Sequence, residues 1–372
     1  MSTLGPGIIP TPLAQLPWRI ILLVIAIGMF GLVVLYSAAG GHIQPWASSQ
    51  GMRFFVFLAM AIALSRVPET FWALGAFPIY GIILAMLVGV ELLGAVAGGS
   101  QRWLDLGIIR LQPSELMKPM IVLVLARFYE MLPAGEIRRF GAIWPALVLI
   151  GLPAGLVILQ PDLGTALMIV GCGIMVMFLA GIPLRLFIGG ALLFAVAAPL
   201  AVNFVLHDYQ RNRVMIFLDP ESDPLGKGYH ISQSKIAIGS GGVFGKGFLK
   251  GTQSHLDYLP EGQTDFALAT MMEEWGLMGG LFVIVCFGFL IRWGIDVGVR
   301  AQSRFARLTA AGLSGTIFLY VSINMAMVMG LAPVVGVPLP LISFGGTAVM
   351  TLMICLGILM SIDRSNRRVT RW

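Results

Sequence analysis

Long apolar blocks separated by short polar connections run through most of this sequence. Most blocks approach the 20 or so residues that a helix needs to cross a hydrocarbon layer of about 30 Å. The alternation of apolar and polar residues that is typical of membrane β-barrel strands is not visible. The pattern therefore predicts ten membrane-spanning helices, at residues 18–38, 50–65, 71–97, 114–130, 142–159, 163–181, 185–206, 265–292, 307–329 and 344–361.

The composition agrees with a helical bundle in lipid. Hydrophobic residues make up 58% of the chain and charged residues 11%, whereas about a quarter of a soluble protein is charged. The first apolar block is longer than the core of a secretion signal, and Arg19 alone supplies charge at its start, so we predict a retained span. We expect an all-α polytopic membrane protein that forms a single domain over residues 1–372.

The placement of arginine predicts how the bundle is oriented. Short loops rich in Lys and Arg face the cytoplasm, and both termini are therefore predicted to be cytoplasmic. The connection between the seventh and eighth spans, about residues 207–264, then becomes one large extracytoplasmic loop, because charges in long loops influence orientation little. The arginines that set this orientation are Arg66, Arg127, Arg138, Arg139, Arg185, Arg292, Arg300, Arg304, Arg307, Arg364, Arg367, Arg368 and Arg371.

Several classes of site are disfavoured by the sequence. Cys172, Cys286 and Cys355 lie in apolar runs without the spacing of a disulfide framework or a zinc site, and are predicted to be small buried hydrophobic residues. The net charge of +6 is scattered over membrane loops, which argues against binding of nucleic acid. The glycine-rich segment 239–247 lacks the spacing and the terminal Ser or Thr of a nucleotide-binding loop.

Polar residues at two helix starts are the first candidates for chemistry. Glu115 and Lys118 are three residues apart, so they share a helix face and can form a local ion pair. Because Lys118 lies within an apolar span, where ionisable side chains usually face a cavity or a partner, it is equally a candidate for lining a cavity. Asp162 is predicted to cap the sixth span, a role that is compatible with lining the same cavity.

The long loop and the last connection add further candidates. Residues 231–238 are predicted to form a short helix on the membrane surface that carries Lys235. The loop leads into the eighth span at Asp265, and the prolines of segment 336–346 exclude a regular helix there. Non-helical backbone at that depth survives only when it is buried in protein or beside water. Together these features predict a cavity that opens to the outside and is lined by carboxylates and cations.

Six sequence motifs resemble those of the SEDS family of shape, elongation, division and sporulation proteins. They occur in the family's order over nearly the whole chain, and the last two are more similar to its elongation member than to its division member. The motifs are QRWLDLG at 101–107, QPSELMK at 112–118, QPDLGT at 160–165, RVMIFLDP at 213–220, GTQSHLDYLPEGQTDF at 251–266 and PVVGVPLPLISFGG at 333–346.

The resemblance implies a peptidoglycan glycosyltransferase of the bacterial cytoplasmic (inner) membrane. Such a protein polymerises lipid II on the outer face of that membrane during cell elongation, and a class B penicillin-binding protein crosslinks the strand. By this resemblance Asp265 matches the family's essential aspartate. The family positions around the same cavity are matched by Trp103, Glu115, Lys118 and Asp162.

Two residues depart from the family's pattern. Gln263 stands where relatives usually carry His, which puts in doubt any role of that His as a proton acceptor or metal contact. Phe344 stands in place of the common Tyr, which is a milder change.

The chemistry that the resemblance implies assigns roles to these residues. An α-linked sugar that becomes β-1,4 linked requires a base on the acceptor hydroxyl, and Asp265 is the predicted base. Trp103 is expected to pack on a sugar ring or a lipid chain, although an anchor at the membrane interface explains it equally well. A divalent cation, Mg²⁺ or Mn²⁺, is expected to bridge phosphate oxygens, with its ligands left open and without an organic cofactor. The cations predicted to bind the departing pyrophosphate are Arg102, Lys118, Arg213 and Lys235.

Two other functions remain open at this point. A lipid II flippase or transporter also needs a polar cavity within a bundle, but it would line a path across the whole bilayer. The polar residues here concentrate in the predicted outer half, which favours the enzyme. A protein that only activates its penicillin-binding partner is the third alternative. The expected partners are thus lipid II, membrane lipids and the transpeptidase, and nucleic acid is not expected.

Overall fold

The computed structural model describes residues 16–93, 95–97, 100–105, 110–204, 211, 215, 227–256, 258–259 and 261–369. This part of the chain forms twelve α-helices, a 3-10 helix (Ala134–Glu136) and three short strands. The helices are α1 (Trp18–Ala38), α2 (Trp46–Leu64), α3 (Glu69–Leu93), α4 (Pro113–Met131), α5 (Phe140–Leu159), α6 (Leu163–Ala180), α7 (Leu184–Phe204), α8 (Lys227–Gly241), α9 (Thr252–His255), α10 (Ala267–Arg300), α11 (Arg304–Val328) and α12 (Gly346–Val369). The strands are β1 (Ala95–Ala97), β2 (Ser100–Asp105) and β3 (Arg110–Leu111).

Each of the ten predicted spans falls on a long helix, so the prediction of a multi-pass helical membrane protein is confirmed. In the described residues, eight helices are long and apolar enough to cross a membrane: α1, α2, α3, α5, α6, α10, α11 and α12. Helix α4 carries four charged residues, and the described apolar stretch of α7 covers only Leu184–Ala197. The count of ten, the cytoplasmic termini and the side of the long loop therefore stay predictions.

A small antiparallel sheet separates α3 from α4. Strand β2 lies between β1 and β3, with Trp103 opposite Ala95 and Leu104 opposite Leu111. The prediction that the third span extends to residue 97 was wrong, since α3 ends at Leu93. The polar sequence that begins at Ser100 cannot continue an apolar span, and backbone pairing between strands satisfies the amide groups instead.

Helix α4 lies at the centre of the bundle. It packs against α3, α5, α6, α11 and α12, and the side chains from Ile121 to Leu125 are fully buried. Because neighbouring helices cover α4, its polar side chains contact protein rather than lipid. This burial explains how a helix with few consecutive apolar residues fits within a membrane bundle.

Helix α10 is broken at Gly276, whose φ of 64° and ψ of −158° lie outside the helical region. The glycine-rich segment 239–247, which includes the end of α8, pairs with the backbone at this break. Leu277 N donates to Gly242 O at 2.9 Å, and Gly247 N donates to Glu274 O at 3.0 Å. The segment that lacks the features of a nucleotide-binding loop therefore satisfies backbone groups that a broken membrane helix exposes.

Candidate active site

The predicted base, Asp265, lies half-buried in the turn that leads into α10. Asn324 of α11 fixes the backbone of this turn, because its Nδ2 donates to Asp265 O at 3.1 Å and to Val337 O at 2.8 Å. A Cβ atom at Gly336 would lie 3.5 Å from Asp265 Oδ2. The Asp265 carboxyl group therefore lies beside the connection between α11 and α12, and the glycine leaves it room.

That connection, residues 329–345, is non-helical and runs back into the bundle, as its prolines predicted. Val337, Leu339 and Ile342 are buried. A side chain at Gly164 in the first turn of α6 would collide with Val335 O. The start of α6 and the turn that carries Asp265 thus contact adjacent residues of one segment, which brings the Asp162 region close to Asp265.

Asp162 caps α6, so the predicted cap is confirmed. Its Oδ1 accepts from Thr165 N at 3.2 Å and its Oδ2 from Thr165 Oγ1 at 2.9 Å. Gln112 Nε2 donates to the same Oδ2 at 3.2 Å, and Arg102 Nη1 lies 3.9 Å from it. The carboxylate therefore joins the sheet, the start of α4 and the start of α6.

Arg102 and Trp103 reach this region from β2. Arg102 Nε donates to Gln160 O at 3.1 Å, and its Nη2 donates to Pro161 O. A quarter of the Arg102 side chain remains exposed, so these contacts do not enclose it completely. Trp103 is half-buried, a position that fits both the predicted packing role and the interfacial anchor.

Glu115 and Lys118 form the predicted ion pair, deep inside the bundle. Lys118 Nζ lies 2.5 Å from Glu115 Oε1 and 2.9 Å from Tyr320 OH, which in turn donates to Glu115 Oε2 at 2.5 Å. Thr351 of α12 donates to Glu115 O at 3.3 Å. Only 1% of Lys118 is exposed, so the pair joins α4, α11 and α12 in this structure. Its predicted contact with substrate is a separate hypothesis.

Helix α8 carries Lys235 and His230 to the same end of the bundle. The predicted surface helix exists but is longer, and it packs against α10 and α11, with Ser234 Oγ donating to Val328 O at 2.7 Å. Lys235 is exposed and its side chain lies against Gly330. The His230 ring stacks on Phe266, the residue after Asp265, with the ring centroids 6.0 Å apart.

Glu273 and Glu274, which follow Asp265 along α10, have structural partners. Glu273 accepts from the backbone N of Thr252 at 2.8 Å and of Gln253 at 2.9 Å, and pairs with Lys246 at 2.6 Å. Its carboxylate therefore caps α9 and holds the end of the long loop against α10. Ser37 of α1 donates a hydrogen bond to Glu274.

The predictions for Arg213 and for a divalent cation stay without a position in the structure. Arg213 lies outside the described residues. In the described part of the chain, no three His, Cys, Asp or Glu side chains gather into a metal-binding group. Mg²⁺ commonly uses one or two carboxylates together with substrate phosphates, and Asp265 can supply one such carboxylate. The divalent cation stays a prediction.

Three residues of this region were not predicted from the sequence. Asn324 and Tyr320 lie in the mainly apolar sequence of α11, and neither belongs to one of the six motifs. Arg53 lies in α2, with its guanidinium carbon 5.3 Å from the centre of the Phe344 ring. A signal for Arg53 was present, because a charged residue inside an apolar span is unusual.

The chain matches known proteins over nearly its whole length. The model of the FtsW, RodA and SpoVE family, described as "Cell cycle protein", matches residues 16–368. The chain belongs to this family. Peptidoglycan glycosyltransferase MrdB of Escherichia coli (strain K12) is 44% identical over 353 residues, which is 94% of each chain. The probable peptidoglycan glycosyltransferase FtsW of Trichlorobacter lovleyi is 34% identical, over 95% of this chain and 94% of that protein.

Solved structures of relatives have the same fold. One, described as "Structural coordination of polymerization and crosslinking by a peptidoglycan synthase complex", gives a TM-score of 0.81 at 32% identity, over 94% of this chain and 98% of that chain. The rod shape determining protein RodA of Thermus thermophilus gives 0.71 at 27% identity, over 94% and 97%. The predicted family, fold class and glycosyltransferase activity are thereby confirmed.

Proposed function

We propose that this member of the family polymerises lipid II into glycan strands at the outer face of the bacterial cytoplasmic membrane, with Asp265 as the base. The relatives that carry the name peptidoglycan glycosyltransferase support the reaction class. The single observation that supports the site is the position of Asp265, half-buried beside Gly336 and fixed through its backbone by Asn324. A carboxylate at this position can serve as a general base if the acceptor hydroxyl binds within hydrogen-bond reach of it.

The reaction is a single displacement with inversion. Asp265 accepts the proton of the acceptor's 4-hydroxyl group as that oxygen forms a bond to C1 of the donor sugar. The bond between C1 and the pyrophosphate oxygen breaks, and the polyprenyl pyrophosphate leaves with the electron pair. Positive charge held near the leaving group lowers the barrier to this step.

The cations near the site differ in how readily they reach a leaving group. Arg102 is partly exposed beside the start of α6, and Lys235 is exposed on α8. Lys118 is enclosed by its contacts with Glu115 and Tyr320. In this proposal Arg102 and Lys235 contact the pyrophosphate directly, whereas Lys118 holds α4 and α11 in place behind the site.

A class B penicillin-binding protein is the proposed partner. The similar solved structure belongs to a peptidoglycan synthase complex that couples polymerization and crosslinking. A polymerase on the outer face delivers strands where a crosslinking enzyme can use them. The partner's expected effect is a higher rate of polymerisation when the two proteins are purified together.

The test of the base is Asp265→Asn, assayed for glycan polymer from purified lipid II with no other glycosyltransferase present. We expect a loss of at least about 100-fold in rate, since a general base contributes about 10²–10⁴-fold. Asp296→Asn, at the other end of α10, is the matched control and should keep the wild-type rate.

Two results would reject this proposal. Polymer formation by Asp265→Asn at the rate of the wild type would remove Asp265 from the mechanism. If the wild type moved lipid II across vesicle membranes and made no polymer, the flippase would be the better description.

A further inference from the structure

Arg53 is a charged residue about one-third of the way along a membrane-spanning helix. It lies seven residues after Trp46, the first residue of α2, which places it about 10 Å along the helix at 1.5 Å per residue. Its side chain is half-buried. Among the described residues its guanidinium makes no ion pair and contacts the Phe344 ring.

Two buried charged residues elsewhere in the bundle, Lys118 and Glu273, have partners of opposite charge. Lys118 pairs with Glu115, and Glu273 pairs with Lys246. An ionisable side chain in a membrane span is unfavourable unless it faces a partner or a water-filled cavity. The contact with Phe344 compensates only part of this cost, because the ring offers no oxygen acceptor to the N–H groups of the guanidinium. The Arg53 guanidinium can therefore still bind an anion.

The guanidinium lies at the wall of the candidate active site. Phe344 N donates to Gln263 O at 2.8 Å, and Gln263 lies two residues before Asp265. The side chain of Arg53 also borders Gly346, where a Cβ atom would be 3.2 Å from Nη1. Arg53 thus contacts Phe344, whose backbone N–H joins the connection before α12 to the turn that carries the predicted base.

Gln50, which lies close to Arg53 on α2, already attaches this helix to the connection before α12. Gln50 Nε2 donates to Ser343 O at 3.0 Å, and its Oε1 accepts from Gly345 N at 3.4 Å. These two hydrogen bonds fasten α2 to the backbone on both sides of Phe344. The charge of Arg53 is not needed for that attachment.

We propose that Arg53 binds a phosphate group of the lipid-linked substrate. The planar guanidinium offers several donors in a fork that matches phosphate oxygens, and it is more weakly hydrated than an ammonium group. A lipid whose chain stays in the bilayer presents its phosphates close to the membrane interface, where α2 begins. This inference rests on the proposed function, since it adds a cation to the same site.

The test measures binding and polymerisation separately. Purified wild type, Arg53→Lys and Arg53→Gln are titrated with a polyprenyl pyrophosphate in maltoside micelles, which contain no other phosphate. We expect Arg53→Gln to bind about tenfold more weakly, because it loses a charge-assisted hydrogen bond to the phosphate. Arg53→Lys should lie between, and Arg139→Gln, an exposed arginine outside the site, should match the wild type.

The outcomes separate the rival explanations. Equal binding by Arg53→Gln and wild type would overturn the proposal. Arg53→Gln could also bind the pyrophosphate as tightly as the wild type does in micelles, but lose the stabilisation that added phosphatidylglycerol gives the wild type. That result would assign the anion to a membrane phospholipid and would also overturn the proposal. A fall in Tm shared with Gln50→Leu at unchanged affinity would assign Arg53 a structural role.

The polymerisation assay keeps this inference distinguishable from the proposed function. With lipid II as substrate, Arg53→Gln should raise KM about tenfold. If the wild type makes no polymer but Arg53→Gln still weakens binding, the proposed reaction fails and the phosphate site stands. If the wild type polymerises lipid II and Arg53→Gln changes neither KM nor affinity, the phosphate site fails alone.

Discussion

Lys118 shows how tertiary contacts decide the role of a single residue. From its position in an apolar span, both an ion pair and a cavity-lining role were open. The structure buries the ammonium group between Glu115 and Tyr320. Buried pairs of this kind are strongly coupled, because removal of one partner leaves an uncompensated charge in a medium of low polarity.

The coupling predicts how variants of this pair behave. Lys118→Met should lower the free energy of unfolding by about 3–5 kcal/mol, since it leaves Glu115 unpaired. The double variant Glu115→Gln/Lys118→Met should recover part of that loss, because no charge remains. Thermal unfolding in detergent measures both, and additive losses in the double variant would contradict the coupling.

The sequence predicts the roles of some site residues better than others, as a comparison of Asp265, Asp162 and Arg53 shows. The motif around Asp265 and the cap at Asp162 are local features, so both could be predicted from neighbouring residues. Arg53 and Phe344 are in contact although 291 positions separate them in the sequence, and no local sequence pattern predicts this contact. The function of a local motif can be read along the chain, whereas a contact between distant helices cannot.

At the scale of a single helix, the break in α10 is a feature that the hydropathy pattern does not predict. The predicted span covers residues 265–292 without interruption, but Gly276 has a φ of 64°. A Cβ atom there would lie 2.6 Å from Val243 O. The glycine-rich segment 239–247 packs against this break, so its glycines serve the packing of the bundle.

This close approach makes Gly276 sensitive to substitution. Gly276→Ala should destabilise the protein by about 1–3 kcal/mol, because alanine is strained at positive φ and its methyl group meets the backbone of Val243. Gly288→Ala, in the regular part of the same helix with open space around it, is the matched control. It should be neutral or slightly stabilising. Equal Tm values for the two variants would contradict the role of the break.

At the scale of the whole molecule, the long loop is attached to the bundle at several points. Glu273 caps α9, and α8 packs against α10 and α11. The loop segment from Lys227 onward is therefore part of the bundle's structure. It places His230 beside the turn that carries Asp265, and Lys235 against Gly330 in the connection between α11 and α12. Its predicted position outside the cytoplasm follows from the arginine pattern alone.

Cysteine labelling tests this orientation directly. The native cysteines are buried, so a membrane-impermeant maleimide should report on introduced cysteines alone. Lys250→Cys, exposed in the long loop, should react in intact spheroplasts. Arg139→Cys, exposed in a predicted cytoplasmic connection, should react only after lysis. The reverse pattern would invert the predicted topology.

The sequence by itself determined the helical membrane fold, the approximate ends of the long helices, the family and the local motifs. These properties depend on hydropathy and on neighbouring residues, which act over one or two turns of helix. Only the tertiary structure decided that Lys118 is enclosed, that Glu273 caps a distant short helix and that Arg53 reaches Phe344. In a bundle where nearly every helix is apolar, hydropathy does not specify which helices are neighbours. The pairing of polar groups across helices does, and it becomes visible only when the helices are packed together.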